Sequence, residues 1–252
     1  MKEQRSFRVE AIVMRHSNMG EADRLLVLYT RQRGKVRAVA KGARKMRSRK
    51  AGHVEPFMQV SLQLATAHGP FIVTDAEMIE AYQPVREDLV RTGYAAYVVE
   101  LVDRFSYEDE GENPVIFRLL TETLSRIALN PDPWLAVRYY EVRLLDSLGF
   151  RPQLVKCSNC QVEIKPEDQY FSPSQGGVLC PKCGAGLPGA WRISEEALKY
   201  FRHLQRSTYQ LAAHARPNPD VQKEMETLIQ AYFTYLLERE LNTPGFIRRV
   251  RG

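Results

Sequence analysis

Apolar and polar positions alternate with a period of two through the first part of the chain, then change to a helical period. Phe7, Val9, Ala11 and Val13 alternate with Arg8 and Glu10, residues 17–20 signal a turn, and residues 25–29 are rich in strand formers. After Gly34 the residues Val36, Ala38 and Ala40 alternate with Lys35, Arg37 and Lys41, as in a half-buried strand. Met58, Val60, Leu62 and Leu64 against Gln59, Ser61 and Gln63 give the cleanest alternation, followed by a His68-Gly69-Pro70 turn and a fifth apolar run over 71–77. Five short strands with a long loop between the third and fourth predict a small closed barrel, of the oligonucleotide-binding (OB) or the SH3-like type. Pattern alone does not separate the two.

At Pro84 the strand signals end. Leu89, Val90, Tyr94, Tyr97, Val98 and Leu101 fall at helical spacing, with acids over 108–112. Asn113-Pro114 and Asp132-Pro133 each set a capping residue before a first-turn proline, which marks two more helix starts. The helix from Pro133, with Trp134, Leu135, Val137, Tyr139, Val142, Leu145 and Leu148, is apolar on nearly every side, so it is expected at the centre of an all-helical domain. Ser194 opens another helix and Asn218-Pro219 the last, which stops at 242–245. The expectation is an α+β multidomain chain: a barrel over 1–82, then a helical domain over 83–252 interrupted by a segment at 151–191. The arginines Arg248, Arg249 and Arg251 beyond the stop are expected to be a frayed, solvated end that extends a polyanion surface at most.

Charge changes this picture at one place. Residues 31–50 hold Arg31, Arg33, Lys35, Arg37, Lys41, Arg44, Lys45, Arg47, Arg49 and Lys50 and no acid, a local charge of +10 in a chain of net +6. The remainder sums to −4, so the basic character is concentrated. Ten cations suit a polyanion, because neutralising several phosphates releases condensed counterions. A patch for anionic lipid is the alternative, though no apolar anchor or lipidation signal accompanies the charge. After Gly42 the alternation stops, and a mobile loop is expected there. No apolar run approaches the roughly 20 residues of a membrane span, and the opening MKEQRSFRVE is too polar for a signal peptide, so a cytoplasmic protein with no membrane partner is expected.

The four cysteines form two pairs, Cys157-x2-Cys160 and Cys180-x2-Cys183, 19 residues apart. Such pairs bring four thiolates into a tetrahedron, the closed geometry of structural zinc; an iron-sulfur cluster and plain thiols or disulfides are the alternatives. Four thiolates leave no open position for water, so the site is expected to support the fold and not to catalyse. His53-Val54-Glu55 spells the H-x-E of zinc deaminases, but that signature wants Pro before a single cysteine pair, whereas Pro181 follows Cys180 and there are two pairs. The chain holds no G-x-x-x-x-G-K-[ST] and no G-x-S-x-G, and no catalytic residues are expected. A zinc-ribbon RNA-binding or transcription factor is the competing class. It would use the cysteine segment to touch nucleic acid, but Lys156, Lys165 and Lys182 are the only bases among its central residues.

Across most of its length the chain resembles the RecO family of bacterial recombination mediators and DNA-annealing proteins. The resemblance lies in GEADRLLVLYT at 20–30, GKVRAVAKGARK at 34–45, Ser48-Arg49, Pro56-Phe57, YYEVRLLDSLGFRP at 139–152 and FSPSQGGVLC at 171–180, in this order and spacing. It implies an N-terminal OB-fold barrel, a helical C-terminal domain and a zinc site that some members keep. It also implies a bacterial, nucleoid-associated protein of DNA repair and homologous recombination in the RecF pathway. Such a protein binds single- and double-stranded DNA and anneals complementary strands. With RecR it loads RecA on DNA coated by single-stranded DNA-binding protein, whose acidic C-terminal tail ends in Pro-Phe. That tail needs an apolar pocket beside a cation, and Tyr232, Leu236 and Arg239 on the last predicted helix are the candidates.

Overall fold

The computed structural model describes residues 6–45, 51–108 and 110–251, without the side chain of residue 51. Arg47, Arg49 and Lys50 therefore lie outside the described residues. All five expected strands form: β1 (Ser6–Met19), β2 (Asp23–Thr30), β3 (Gly34–Ala40), β4 (Gln59–Ala65) and β5 (Phe71–Glu80), with a 3-10 turn at Ala51–His53 before β4. They close into a barrel in the order β1-β2-β3-β5-β4, with β3 parallel to β5 through Ala38 opposite Phe71 and Val39 opposite Ile72.

Closure depends on the length of β1. Residues 6–12 pair with β4 and residues 11–19 with β2, and a bulge between Val13 and Arg15 bends the strand from one neighbour to the other. The ladder runs through Ser17, Asn18 and Met19, so the turn is tighter and later than the composition suggested, at 20–22. Val9, Ala11, Val13, Leu26, Leu28, Val36, Ala38, Ala40, Val60, Leu62 and Leu64 fill the interior.

The outer face of β1–β3 is apolar as well. Ile12, Met14, Val27, Tyr29 and Val39 alternate with the interior set and are all buried. This second apolar layer explains why the helices that follow belong with the barrel. α1 (Gln83–Glu87), α2 (Leu89–Phe105) and α3 (Pro114–Leu129) form one compact unit with it, Met1–Pro133 joined by Asn242–Gly252. Asp88 caps α2 and Asn113 caps α3, each accepting from an N–H three residues on. The change from strands to helices near 82 is thus a change of element type inside one unit; the division between units falls at Pro133.

The second unit, Trp134–Leu241, is built on α4 (Trp134–Ser147). As its composition predicts, α4 is buried nearly all round, and it takes Arg138 and Glu141 inside as an ion pair at 3.1 Å. The cysteine segment follows, with β6 (Gln169–Ser172), β7 (Gly177–Leu179), the short α5 (Pro181–Gly184) and β8 (Trp191–Ile193) in a three-stranded sheet of order β7-β6-β8. α6 (Glu195–Arg206), α7 (Tyr209–Ala212) and α8 (Pro219–Leu237) complete the unit, with Ser194, Thr208 and Asn218 as caps.

The end of the chain corrects an expectation. Residues Thr243–Arg251 form a helix, α9, packed on α2 within the first unit and not a frayed tail. Its first turn is held by Glu100 of α2, whose carboxylate accepts from the Asn242 and Thr243 backbone N–H groups, the Asn242 amide and the Thr243 hydroxyl at 2.7–3.1 Å. The two backbone N–H groups are among those that a helix start leaves without intrahelical partners.

Candidate nucleic-acid interface and metal centre

The basic stretch is not one patch. β3 puts Val36 and Ala38 inside the barrel and Lys35 and Arg37 outside, as alternation requires, but a strand rises about 3.3 Å per residue. Arg33 and Lys41 are therefore separated by roughly 26 Å along the chain and stand at opposite ends of β3. At the β2–β3 turn Arg31 reaches Glu10 at 3.4 Å, and the Arg33 guanidinium lies over the Phe7 ring, 4.2 Å from its centroid, and 5.6 Å from the centroid of Phe71.

In the middle of the strand the cations meet acids from the helical part of the same unit. The Lys35 ammonium pairs with the Asp103 carboxylate at 2.6 Å and donates to the carbonyls of Asp103 and Ser106, and its side chain is only 15% exposed. Lys35 fastens α2 to the barrel, its ammonium already engaged by the protein's own oxygens. Arg37 pairs with Glu108 at 2.8 Å and stays half exposed. The acids over 108–112 carried this signal, a charge complement to 31–50 elsewhere in the chain.

The other end of β3 is different. Gly42 donates its N–H to Asp23 at 2.7 Å, and Arg44 donates from its backbone to Ala22 and from its guanidinium to the carbonyls of Gly20 and Glu21 at 3.2 and 3.1 Å. The first residues of the expected mobile loop are thus tied to the β1–β2 turn. Arg44 uses one of its nitrogens in this, and a guanidinium has five N–H donors. Lys41 and Lys45 beside it are exposed and form no ion pair with any described residue. Behind them Glu55 is braced by Arg24 at 2.6 Å and His16 at 3.2 Å. Burial opposes ionisation of Glu55, but these hydrogen bonds and charges outweigh it and hold the carboxyl below its ordinary value. Glu55 is therefore engaged as a structural anion, and neither it nor His53 belongs to a metal-ligand cluster among the described residues.

The four cysteines do converge. Their sulfurs all lie within 4.8 Å of one another, and Cys160 Sγ and Cys180 Sγ are 3.8 Å apart. A tetrahedron of thiolates at a zinc–sulfur distance of about 2.3 Å has edges of about 3.8 Å, so the donor set fits a metal of this kind. Two tight turns make the cluster. Residue 161 donates its N–H to the Cys157 carbonyl at 2.9 Å with its own φ at 63°, and the Cys183 and Gly184 N–H groups return to the Cys180 carbonyl. Position 184 needs a glycine, since a Cβ there would run into the Tyr170 side chain of β6.

Further donors surround the sulfurs. The Cys180 N–H points at Cys157 Sγ and the Asn159 amide at Cys183 Sγ, each at 3.4 Å. Burial works against a Cys157 thiolate, but N–H groups of Cys160, Cys180 and Asn159 overcome this and lower its pKa to about 6. At Cys183 the Asn159 amide favours the thiolate, while the crowding Cys180 and Cys160 thiols prevail and raise it to about 11. The sulfurs thus compete for negative charge, a frustration that a bound dication relieves.

The three residues expected to receive a peptide differ in exposure. Tyr232 is a core residue: it is 4% exposed, meets Phe171 edge to face at 5.5 Å and donates its hydroxyl to the Phe150 carbonyl at 3.1 Å. Leu236 is half-buried, and exposed Arg239 lies beyond the left-handed Glu238 that ends α8.

A closed barrel with a cationic rim, joined to a helical unit that carries a four-thiolate centre, defines a two-unit protein of the barrel-and-helix class. The family models described as Recombination protein O N terminal and Recombination protein O C terminal match residues 1–82 and 86–244, and the chain belongs to the RecO family. Among its relatives are proteins named DNA repair protein RecO. The one from Roseiflexus sp. (strain RS-1) is 40% identical, over 98% of this chain and 87% of that protein. That of Symbiobacterium thermophilum is 35% identical over 98% of both. That of Dehalococcoides mccartyi (strain CBDB1) is 32% identical over 95% and 94%. No helix among the described residues is long and apolar enough to cross a membrane.

Proposed function

We propose that this chain is a non-catalytic DNA-binding protein of DNA repair and recombination, and that the cationic rim at the β1–β2 turn is its first contact with a strand. The observation that carries this reading is the cluster Lys41, Arg44 and Lys45, presented on a closed barrel with no acid among the described residues paired to the two lysines. The strand order β1-β2-β3-β5-β4 and the parallel β3–β5 pair support reading the barrel as an OB fold, a class used for oligonucleotides. Its usual β2–β3 face is covered here around Tyr29 and Lys35, which is why the rim is the better candidate.

Two polyanionic strands repel each other, so a protein that neutralises one while a second approaches lowers the barrier to annealing without covalent chemistry. In this reading the cysteine centre holds one zinc through Cys157, Cys160, Cys180 and Cys183. The metal supplies closed four-sulfur coordination and hence folding energy, not a reacting water. The resemblance extends the reading to RecR, RecA and the tail of single-stranded DNA-binding protein. For that tail a cleft of about 490 Å³, whose lining includes Glu196, Lys199, Tyr200, His203, Arg216 and Val221, sets an apolar wall beside cations. A labelled tail peptide should lose affinity with Arg216→Ala and keep it with Arg239→Ala.

The deciding experiment is annealing of complementary strands coated with single-stranded DNA-binding protein, in the presence and absence of purified protein. Acceleration that disappears in Lys41→Ala/Lys45→Ala supports the reading. No acceleration, or acceleration unchanged in that variant, rejects it.

A further inference from the structure

A strand-annealing protein must hold a second strand as well as the first, and α9 presents a surface for it. On a helix turning 100° per residue, Arg248, Arg249 and Arg251 fall within an arc of about 160°. All three are exposed, and the helix carries no acid. Its opposite side is taken up by packing: Ile247 is buried, and Ile247 and Phe246 come against Gly93 of α2, where a Cβ would approach them to 3.1 and 3.3 Å. The Arg251 guanidinium lies 5.9 Å over the Tyr94 ring. With the Glu100 carboxylate gripping the first turn, the arginines stand on a fixed support.

That geometry selects the kind of partner. A bilayer or an amphipathic peptide needs an exposed apolar stripe, and the apolar side of α9 faces α2. What remains outward is an array of guanidinium groups, which suits phosphate oxygens. We propose that α9 is a second nucleic-acid-binding element, in which Arg248, Arg249 and Arg251 hold the phosphate backbone of the second strand in annealing. The proposal rests on the DNA-binding reading above. It gives that reading a second surface, on the same compact unit as the rim.

The ordinary role of arginines in a last helical turn is to offset the carbonyl end of the helix dipole, which affects stability and not strand capture. The test separates these roles in the full-length chain. Arg248→Ala/Arg249→Ala should leave the thermal midpoint and single-strand affinity by fluorescence anisotropy nearly unchanged, and should slow annealing by about ten-fold, as expected for two lost phosphate contacts. Lysines at both positions should restore most of the rate. Glu100→Gln, which loosens the support with all arginines in place, should slow annealing too. Annealing at the wild-type rate in the double alanine variant overturns the proposal. So does a parallel loss of single-strand binding, since one surface would then serve both strands. A loss confined to anionic vesicles or to the acidic tail peptide assigns α9 to that partner instead and also overturns it. If the wild type neither binds nor anneals strands, the DNA reading itself falls. If wild type and variant anneal alike, only the second surface does.

Discussion

The cysteine pairs and the basic stretch are both short, dense signals, yet the first converges on one point and the second is spread from one end of a barrel to the other. The physical difference lies in what each group requires. Four sulfurs that share an ion must lie within a few ångströms, so two C-x2-C turns on neighbouring elements suffice, and all four reach within 4.8 Å. Cations on a strand have no such constraint. They follow the pleat, and the residues that then decide their role are the acids the fold brings opposite, at Asp103 and Glu108.

The largest effect should come from the converged site. Cys160→Ser leaves three thiolates and a weakly donating hydroxyl, and structural metal energy is folding energy, so the thermal midpoint should fall by more than about 10 °C. Elemental analysis should find about one zinc per chain in the wild type and little in the variant. Full metal content in the variant, or iron in the wild type, would overturn the assignment. Single-strand binding by the variant at temperatures where it stays folded should persist, because no rim residue belongs to the cysteine cluster.

Lys35 and Lys41, six residues apart on one strand and its turn, sharpen the contrast next. Lys35→Ala leaves the Asp103 carboxylate without its 2.6 Å partner in a half-buried place, a loss of about 2 kcal/mol of stability, with the salt dependence of DNA binding intact. Lys41→Ala/Lys45→Ala should do the reverse, leaving the midpoint in place and reducing the single-strand salt slope by about 1.4. Denaturant titration together with binding at several salt concentrations separates the two; a Lys35 variant with a lowered slope would return that residue to the DNA surface.

The strands, their register by alternation, the buried character of α4 and most helix caps were legible because each depends on residues close in sequence. Asn113, Ser194 and Asn218 cap the helices that follow them, and Val60, Leu62 and Leu64 line the barrel. What was not legible depends on distant partners. Lys35 meets a carbonyl 68 residues away, and Glu100 grips a helix start more than 140 residues on. A buried Tyr232 and a reachable one share the same helical spacing, so periodicity gave Tyr232 no means of declaring itself core.

The Glu100 grip gives the pH prediction. Burial works against its charge, but the donors from Asn242 and Thr243, with Arg104, hold the carboxyl below its ordinary 4.5. A depressed folded pKa means the contribution is fully present above the unfolded value and is lost as pH falls through the folded one. Docking of α9 should therefore be intact at pH 6 and weaken below about 4.5. Protection of the α9 amides, relative to the intrinsic exchange rate at each pH, should fall over that interval in the wild type. In Glu100→Gln it should be low already at pH 6; equal protection in both proteins would remove Glu100 from the role given to it.

The smallest effect belongs to Arg37, which lies between the two behaviours. Its side chain is 48% exposed and that of Glu108 44%, so their 2.8 Å pair is a surface ion pair of about 0–1 kcal/mol. A phosphate passing along the barrel competes with Glu108 for the same guanidinium, and the competition is close. In the wild type Arg37→Ala should change affinity little, since the protein's own carboxylate already occupies it. Glu108→Gln should release Arg37, raise single-strand affinity by no more than about five-fold and steepen the salt slope by about 0.7, one additional phosphate. Arg37→Ala in the Glu108→Gln background should cancel that gain. A Glu108→Gln protein that binds with unchanged affinity and slope would place the strand away from β3, and the rim at Lys41, Arg44 and Lys45 would then be the whole of the barrel's contact.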